Sequence, residues 1–400
     1  MFNHLQAIQA DAILSLMSEF KTDHNPNKID LGVGIYKTQA GITPVMTAVK
    51  KAEKFLFDTQ NTKAYISPKG SPTFNRLLVD LVLGATHQVI QNNRVVAMQA
   101  PGGCGALRLG AELLKQCSST KTVWVSDPTW ANHIPLFQKV GFQIKKYPYY
   151  NKVSKEIEFT AMMTGLNEVQ AGDVVLINGC CHNPCGADLN LEQWKQLSHL
   201  LSEKQAFPYV DLAYQGLGLG LEEDVAGLRF MADQVPEMLI ASSCSKNFGL
   251  YRERTGALML IADSAQAASN SLDQLGVIAR GIWSMPPAHG AAIVETILSD
   301  SELTQEWHAE LQHMRERLRG LRVILAESLS TVGVDQDFTF ITKENGMFSL
   351  AGFAPEHIQA LKQKYSIYIL NSSRINIAGL NKNNIGYFVE SYKKVVHNHS

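Results

Sequence analysis

Between residues 95 and 260 the chain repeatedly sets a short apolar run before a turn or a helical pattern, and few folds accept that alternation. Val95-Val96-Ala97-Met98 leads into Gly102-Gly103-Cys104-Gly105, after which Leu107, Leu109, Leu113 and Leu114 mark a helix over 106–116. Val123-Trp124-Val125 stops at Asp127-Pro128, and Val174-Val175-Leu176-Ile177 runs toward the turn Asn183-Pro184-Cys185-Gly186. A helical stretch follows over 191–201; then Tyr209-Val210 reaches Asp211, Leu239-Ile240-Ala241 reaches Lys246, and 256–260 is apolar again. Short apolar runs bounded by turn signals and separated by helices predict a mainly parallel sheet with helices on both faces. Ligands of such sheets bind beyond the carboxyl ends of the strands. Asn183, Asp211 and Lys246 all stand just past such runs, which points to one shared site.

From about residue 301 the character changes. Residues 302–330 read as a long amphipathic helix, and 367–370 and 374–377 as short strands, predicting a second, smaller α+β domain joined by the N-terminal segment. A chain of 400 residues exceeds the usual size of one hydrophobic core, so such a division is expected. The net charge of −1 gives no electrostatic footprint for nucleic acid or an anionic membrane, so neither is expected as a partner. The six cysteines lack the density and spacing of a secreted disulfide scaffold. Met1-Phe2-Asn3-His4-Leu5-Gln6 does not pair a basic region with an apolar run, and no stretch approaches the ~20 apolar residues of a membrane span. A cytoplasmic setting is the expectation.

Four features carry candidate chemistry. Gly102-Gly103-Cys104-Gly105 opens a helix, where glycines allow close approach and free N–H groups meet an anion; it suits a phosphate, or serves only as a turn. It fits neither the Walker pattern nor G-x-G-x-x-G. Asp211 caps a helix or keeps a pyridinium nitrogen protonated, as pyridoxal phosphate chemistry requires. Lys246, among small and polar residues, becomes a Schiff-base lysine only where burial or positive charge lowers its pKa. Arg254 supplies that charge and a phosphate contact, or forms a surface ion pair. Cys180-Cys181-His182 with Cys185 lacks a second C-x-x-C pair, and Asn183-Pro184 forces a turn, so no metal is expected.

Together these segments resemble the class I, fold-type I pyridoxal phosphate aminotransferases, in particular the aspartate/aromatic subgroup. The resemblance runs from Leu31-Gly32-Val33-Gly34-Ile35-Tyr36 to Ser373-Arg374-Ile375-Asn376. Its most specific matches are Cys181-His182-Asn183-Pro184, Asp211-Leu212-Ala213-Tyr214-Gln215-Gly216, Ser245-Lys246-Asn247-Phe248-Gly249-Leu250-Tyr251 and Glu253-Arg254. It implies a large domain over 44–313 with a seven-stranded sheet, a small domain from 11–43 and 314–400, and an N-terminal arm over 1–10. Pyridoxal 5'-phosphate is the implied cofactor. Lys246 would carry it and shuttle a proton, Asp211 would pair with its ring nitrogen, and Tyr214 and Asn183 would bond its phenolic oxygen. Trp130 would stack on the ring, and His133 would support Asp211. Gly103, Cys104, Ser243 and Arg254 would hold the phosphate, with Tyr65 joining from a neighbouring subunit of a homodimer.

The resemblance also implies amino acid and 2-oxo acid substrates. Arg374 matches the ligand of the α-carboxylate and Arg280 the residue that reaches across the dimer to a distal carboxylate; Gly34, Trp130 and Asn183 complete the substrate set. A planar guanidinium suits a carboxylate because it donates two parallel hydrogen bonds. These matches predict an aspartate aminotransferase, with an aromatic aminotransferase that also accepts dicarboxylates as the alternative. Several residues depart from the family pattern. Cys104 replaces a hydroxyl at the phosphate, Cys185 a threonine, Asn178 a histidine behind the ring, and Met285 a small polar residue; Ala64 also differs. Lys37 and Thr43 look like the aspartate-specific members.

Overall fold

The structure, a computed structural model, describes residues 2–6, 11–117 and 122–397. The chain divides into two compact units: Met1–Thr43 with Leu318–Lys343 and Met347–Ser400, and Pro44–Arg317 with Glu344–Gly346.

The larger unit is built on a seven-stranded sheet. Its strands are β1 (Val95–Pro101), β2 (Thr122–Asp127), β3 (Gln143–Pro148), β4 (Val174–Asn178), β5 (Phe207–Leu212), β6 (Met238–Ser243) and β7 (Thr255–Ile261). Their order is β1-β7-β6-β5-β4-β2-β3. Every pairing is parallel except those of β7, which runs antiparallel to both β1 and β6. Each residue of β6 and β7 is buried, which is why these strands read as continuous apolar runs rather than alternating ones. Edge strand β3, Gln-Ile-Lys-Lys-Tyr-Pro, buries little and has no apolar run to announce it.

The helix Gly102–Cys117 follows β1 directly and buries Ala106, Leu107, Leu109, Leu113 and Leu114 in a core shared with Val123, Val125, Leu176, Leu239 and Leu258. Tyr209 on β5 donates its hydroxyl to the carbonyls of Ala106 (2.9 Å) and Leu107 (3.1 Å), pinning helix to sheet. The helix Leu191–Glu203 begins with a capping box between Asn190 and Gln193.

In the smaller unit, Ile29–Asp30 pairs in parallel with Ile367–Tyr368, and Phe348–Leu350 pairs antiparallel with Arg374–Asn376. The two strand-like runs of the tail therefore join separate partners. Asp11 caps the helix Ala12–Thr22 by accepting the Ile13 and Leu14 N–H groups. The helix Ser301–Ser330 passes from one unit to the other. The division falls between Arg317 and Leu318, about one turn beyond the expected 314, because an uninterrupted helix carries no punctuation in its sequence. Of the expected arm, residues 1 and 7–10 lie outside the described residues, and Phe2–His4 form a 3-10 turn. Among the described residues no helix is long and apolar enough to cross a membrane.

Candidate active site

One edge of the large sheet gathers most of the predicted residues. β1, β2, β4, β5 and β6 all end there, and the reversed β7 begins there, with Thr255 opposite Pro101 and Gly256 opposite Ser243. That register brings three chain segments together: the start of the helix Gly102–Cys117, Ser243 at the end of β6, and Arg254 just before β7. Gly102 has φ +71°, and a Cβ built on it would stand 2.6 Å from Arg254 Nη2. A Cβ on Gly103 would stand 3.0 Å from that of Ser243. The bare glycine backbone thus leaves a cradle floored by helix N–H groups that lack intrahelical acceptors and walled by a serine and a guanidinium. Ser243 Oγ donates to Ser245 Oγ at 3.1 Å, and Arg254 Nη1 to the Tyr251 carbonyl at 2.9 Å, fixing both walls. Cys104 lies half-buried here and receives the Asn132 amide at 3.5 Å; burial pushes its thiol up, partly offset by Arg254 and Asn132.

Asp211 sits within β5 rather than at a helix start, so the capping alternative falls away. Its Oδ2 lies 3.0 Å from His133 Nε2, and His133 Nδ1 lies 2.7 Å from Thr129 Oγ1. A carboxylate only accepts, so Nε2 carries a proton toward Asp211. Trp130 packs edge-on to His133 with ring centroids 5.2 Å apart. Thr129 was not singled out in the sequence, and it carries no helical spacing signal because it precedes the helix His133–Val140.

Lys246 is half-buried, with Nζ 4.6 Å from the centre of the Tyr214 ring. Its loop is held firmly. The Cys244 N–H donates to the Thr255 carbonyl at 3.0 Å, the Gly249 N–H to the Lys246 carbonyl at 3.1 Å, and Trp307 Nε1 to the Asn247 carbonyl at 2.8 Å. Trp307 also stacks on Phe248 at 4.2 Å. Asn183, buried, follows a left-handed Cys181 and precedes a cis proline. The turn that carries it is tied by Asp188, whose carboxylate accepts the Cys181 (2.8 Å) and His182 (2.9 Å) N–H groups. Burial pushes Asp188 up to about 6.

His182 is sandwiched against Tyr149 at 4.3 Å, with Nε2 3.0 Å from Ser126 Oγ and Nδ1 3.2 Å from Cys185 Sγ. Burial, helped by His133, lowers it to about 3, so it is neutral at any working pH. Cys185 Sγ is thus a direct partner of this histidine. Cys180, Cys181 and Asp224 cluster with ligand atoms within 4.8 Å of one another. The Asp224 carboxylate, however, already accepts the N–H groups of Gly216, Gly218, Leu219 and Gly220, a loop-closing role.

The remaining predicted residues lie elsewhere. Arg374 and Gly34 belong to the smaller unit. There Arg374 is buried, donates to the Gly32 carbonyl at 2.6 Å and lies 4.3 Å over the Phe348 ring, which also packs on Gly34. Lys37 bonds Asp30 at 3.1 Å. In the larger unit, Tyr65 is 93% exposed, and Arg280 is exposed near the end of the helix Ala265–Ile282.

Residues 26–391 match the family model for aminotransferase class I and II. The chain is 46% identical over 396 residues to an aspartate aminotransferase of Haemophilus influenzae, covering 99% of this chain and all of that one. It is 43% identical to an aromatic-amino-acid aminotransferase of Paracoccus denitrificans, over 96% of this chain and 97% of the relative. A solved aromatic-amino-acid aminotransferase of Burkholderia pseudomallei, covalently bound to pyridoxal phosphate, superposes with TM-score 0.96 at 37% identity over 99% of both chains.

Proposed function

We propose, for a chain that belongs to the class I and II aminotransferases, the conversion of L-aspartate and 2-oxoglutarate to oxaloacetate and L-glutamate. The chain is a pyridoxal phosphate-dependent transaminase, and its residues suit that group. The cradle at Gly102 would be filled by any Cβ, and Ser243, Arg254 and the helix N–H groups match a phosphate. Bound pyridoxal phosphate supplies an electron sink for the pair left on the substrate's α-carbon.

The chain's own residues do the rest. Asp211, locked by His133 and Thr129, keeps a proton on the ring nitrogen. Lys246 would hold the cofactor covalently and would serve as the group that moves a proton at the substrate's α-carbon. Tyr214 and Asn183 bond the phenolic oxygen, and Trp130 covers the ring. Gly103, Cys104, Ser243 and Arg254 hold the phosphate. Gly34, Trp130, Asn183 and Arg374 bind the substrate, with Arg374 on the α-carboxylate.

The observation carrying the substrate class is a second guanidinium, Arg280, held in solvent at a helix end. Arg280 and Tyr65 would both act on a partner subunit, so a homodimer is part of the reading. Exposed Phe57 and Val277 supply apolar surface for it. The likeness to aromatic enzymes, with Met285 in place of a small polar residue, favours the alternative donor class. A panel of amino donors with 2-oxoglutarate as acceptor decides: aspartate is expected to give the highest kcat/KM, and a large preference for phenylalanine would overturn it.

A further inference from the structure

Tyr65 and Arg280 stand on different elements, yet both must leave the subunit in a fixed relation if they serve one neighbouring site. We infer that Gln99 is the positioning residue that sets this relation, an inference that rests on the shared-site reading above. Gln99 is fully buried on the edge strand β1. Its Oε1 accepts the Ser71 N–H at 3.1 Å, and its Nε2 donates to the Pro287 carbonyl at 2.8 Å. Its own N–H donates to the Lys69 carbonyl at 3.2 Å. A carboxamide offers a donor and an acceptor at once, so one side chain ties both segments. One of them is the loop that follows Tyr65. The other is the connection after Arg280, where Pro287 starts the helix Ala288–Ser299.

Three further contacts hold the loop to the same region. Gly70 has φ +80°, and a Cβ there would lie 2.2 Å from Gln99 Cβ, so the loop touches the strand with nothing between. Ser71 Oγ donates to the Glu295 carboxylate. Lys69 Nζ pairs with Asp273 at 2.7 Å on the helix that carries Arg280, and a Cβ on Gly276 of that helix would stand 3.3 Å from Lys69 Cε. The loop, the Arg280 helix and the helix after it form one bracket with Gln99 as its pin.

The test uses hybrid dimers purified through two different tags, in which one subunit carries Lys246→Ala so that a single site works. In the first hybrid Gln99→Met lies on the subunit with Lys246, whose partner supplies Tyr65 and Arg280 from a native bracket. Native KM and native cofactor retention are expected. In the second, Gln99→Met shares the subunit with Lys246→Ala. The KM for 2-oxoglutarate should then rise about tenfold, the effect of losing roughly one charge-assisted hydrogen bond. Cofactor release, followed by absorbance after dilution, should also quicken. Lys69→Ala, on the surface, should show the same asymmetry at a smaller factor and covers a failure of Gln99→Met to fold. Equal losses in both hybrids, or none, would overturn the inference. Arg280→Ala in the same two arrangements separates the premises: an effect confined to the Lys246-bearing subunit would sink the shared-site reading and the inference with it. Asymmetry for Arg280→Ala but not for Gln99→Met would sink the inference alone.

Discussion

His182 shows how a single side chain acquires a role from its surroundings. Buried between Tyr149, Ser126 and Cys185, it stays neutral down to about pH 3, against 6.5 for an ordinary imidazole. As pH falls below 6.5 the unfolded chain takes up a proton that the folded one refuses, so its contribution to stability is present above that value and is lost toward pH 3. Asp188 has the opposite sign: raised from 3.8 to about 6, it is stabilising when protonated, and that contribution fades as pH rises through about 6. Between these values the two slopes oppose each other. His182→Gln is therefore expected to be less stable than the native protein near pH 6.5, with a deficit that shrinks by about 2–3 kcal/mol by pH 4.5. Urea unfolding of both proteins across that range measures it; a constant deficit would show that the histidine is charged in the folded state.

Among the elements, the helix Gly102–Cys117 is set tightly against the sheet. A Cβ on Gly110 would stand 2.2 Å from the Tyr209 hydroxyl and 2.9 Å from a Leu239 methyl. Alanine is the better helix former by about 1 kcal/mol, so propensity alone predicts that Gly110→Ala stabilises. Overpacking against the sheet predicts a loss of about 1–3 kcal/mol, and we expect that to win and lower Tm. Six of the seven strands and this helix were legible because buried strands spell themselves as apolar runs. β3 was not, since an edge strand of lysines and tyrosine has no such run. Asn183, Asp211 and Lys246 could be singled out as candidates because each stands just past an apolar run. Thr129, Asp188 and Gln99 could not: each acts on backbone or on another side chain, and many polar residues at those positions would read the same.

For the whole molecule, the proposed dicarboxylate class rests on Arg280, a residue that the aspartate and aromatic readings share. Arg280→Ala should lower kcat/KM for aspartate by about 10²-fold or more, as expected for a bidentate charge-assisted contact. Phenylalanine, which has no second carboxylate, should lose less than about tenfold. Steady-state kinetics with both donors checks this; equal losses would assign Arg280 to structure. The division into two units was foreseeable from length and from the change in pattern after residue 301. Its boundary inside a continuous helix was not.

The reversal of β7 has a consequence for which sequence changes the chain tolerates. Because Ser243 and Gly256 are zipped opposite one another, the twelve residues between them form a closed loop with both feet on the sheet. Lys246 stands near one foot and Arg254 near the other, so if they hold the cofactor as proposed, the length of this loop sets the span between the two contacts. One residue inserted between Phe248 and Arg252 should leave the fold intact yet abolish transamination. The same insertion beside Val153, exposed in a surface turn, should pass unnoticed.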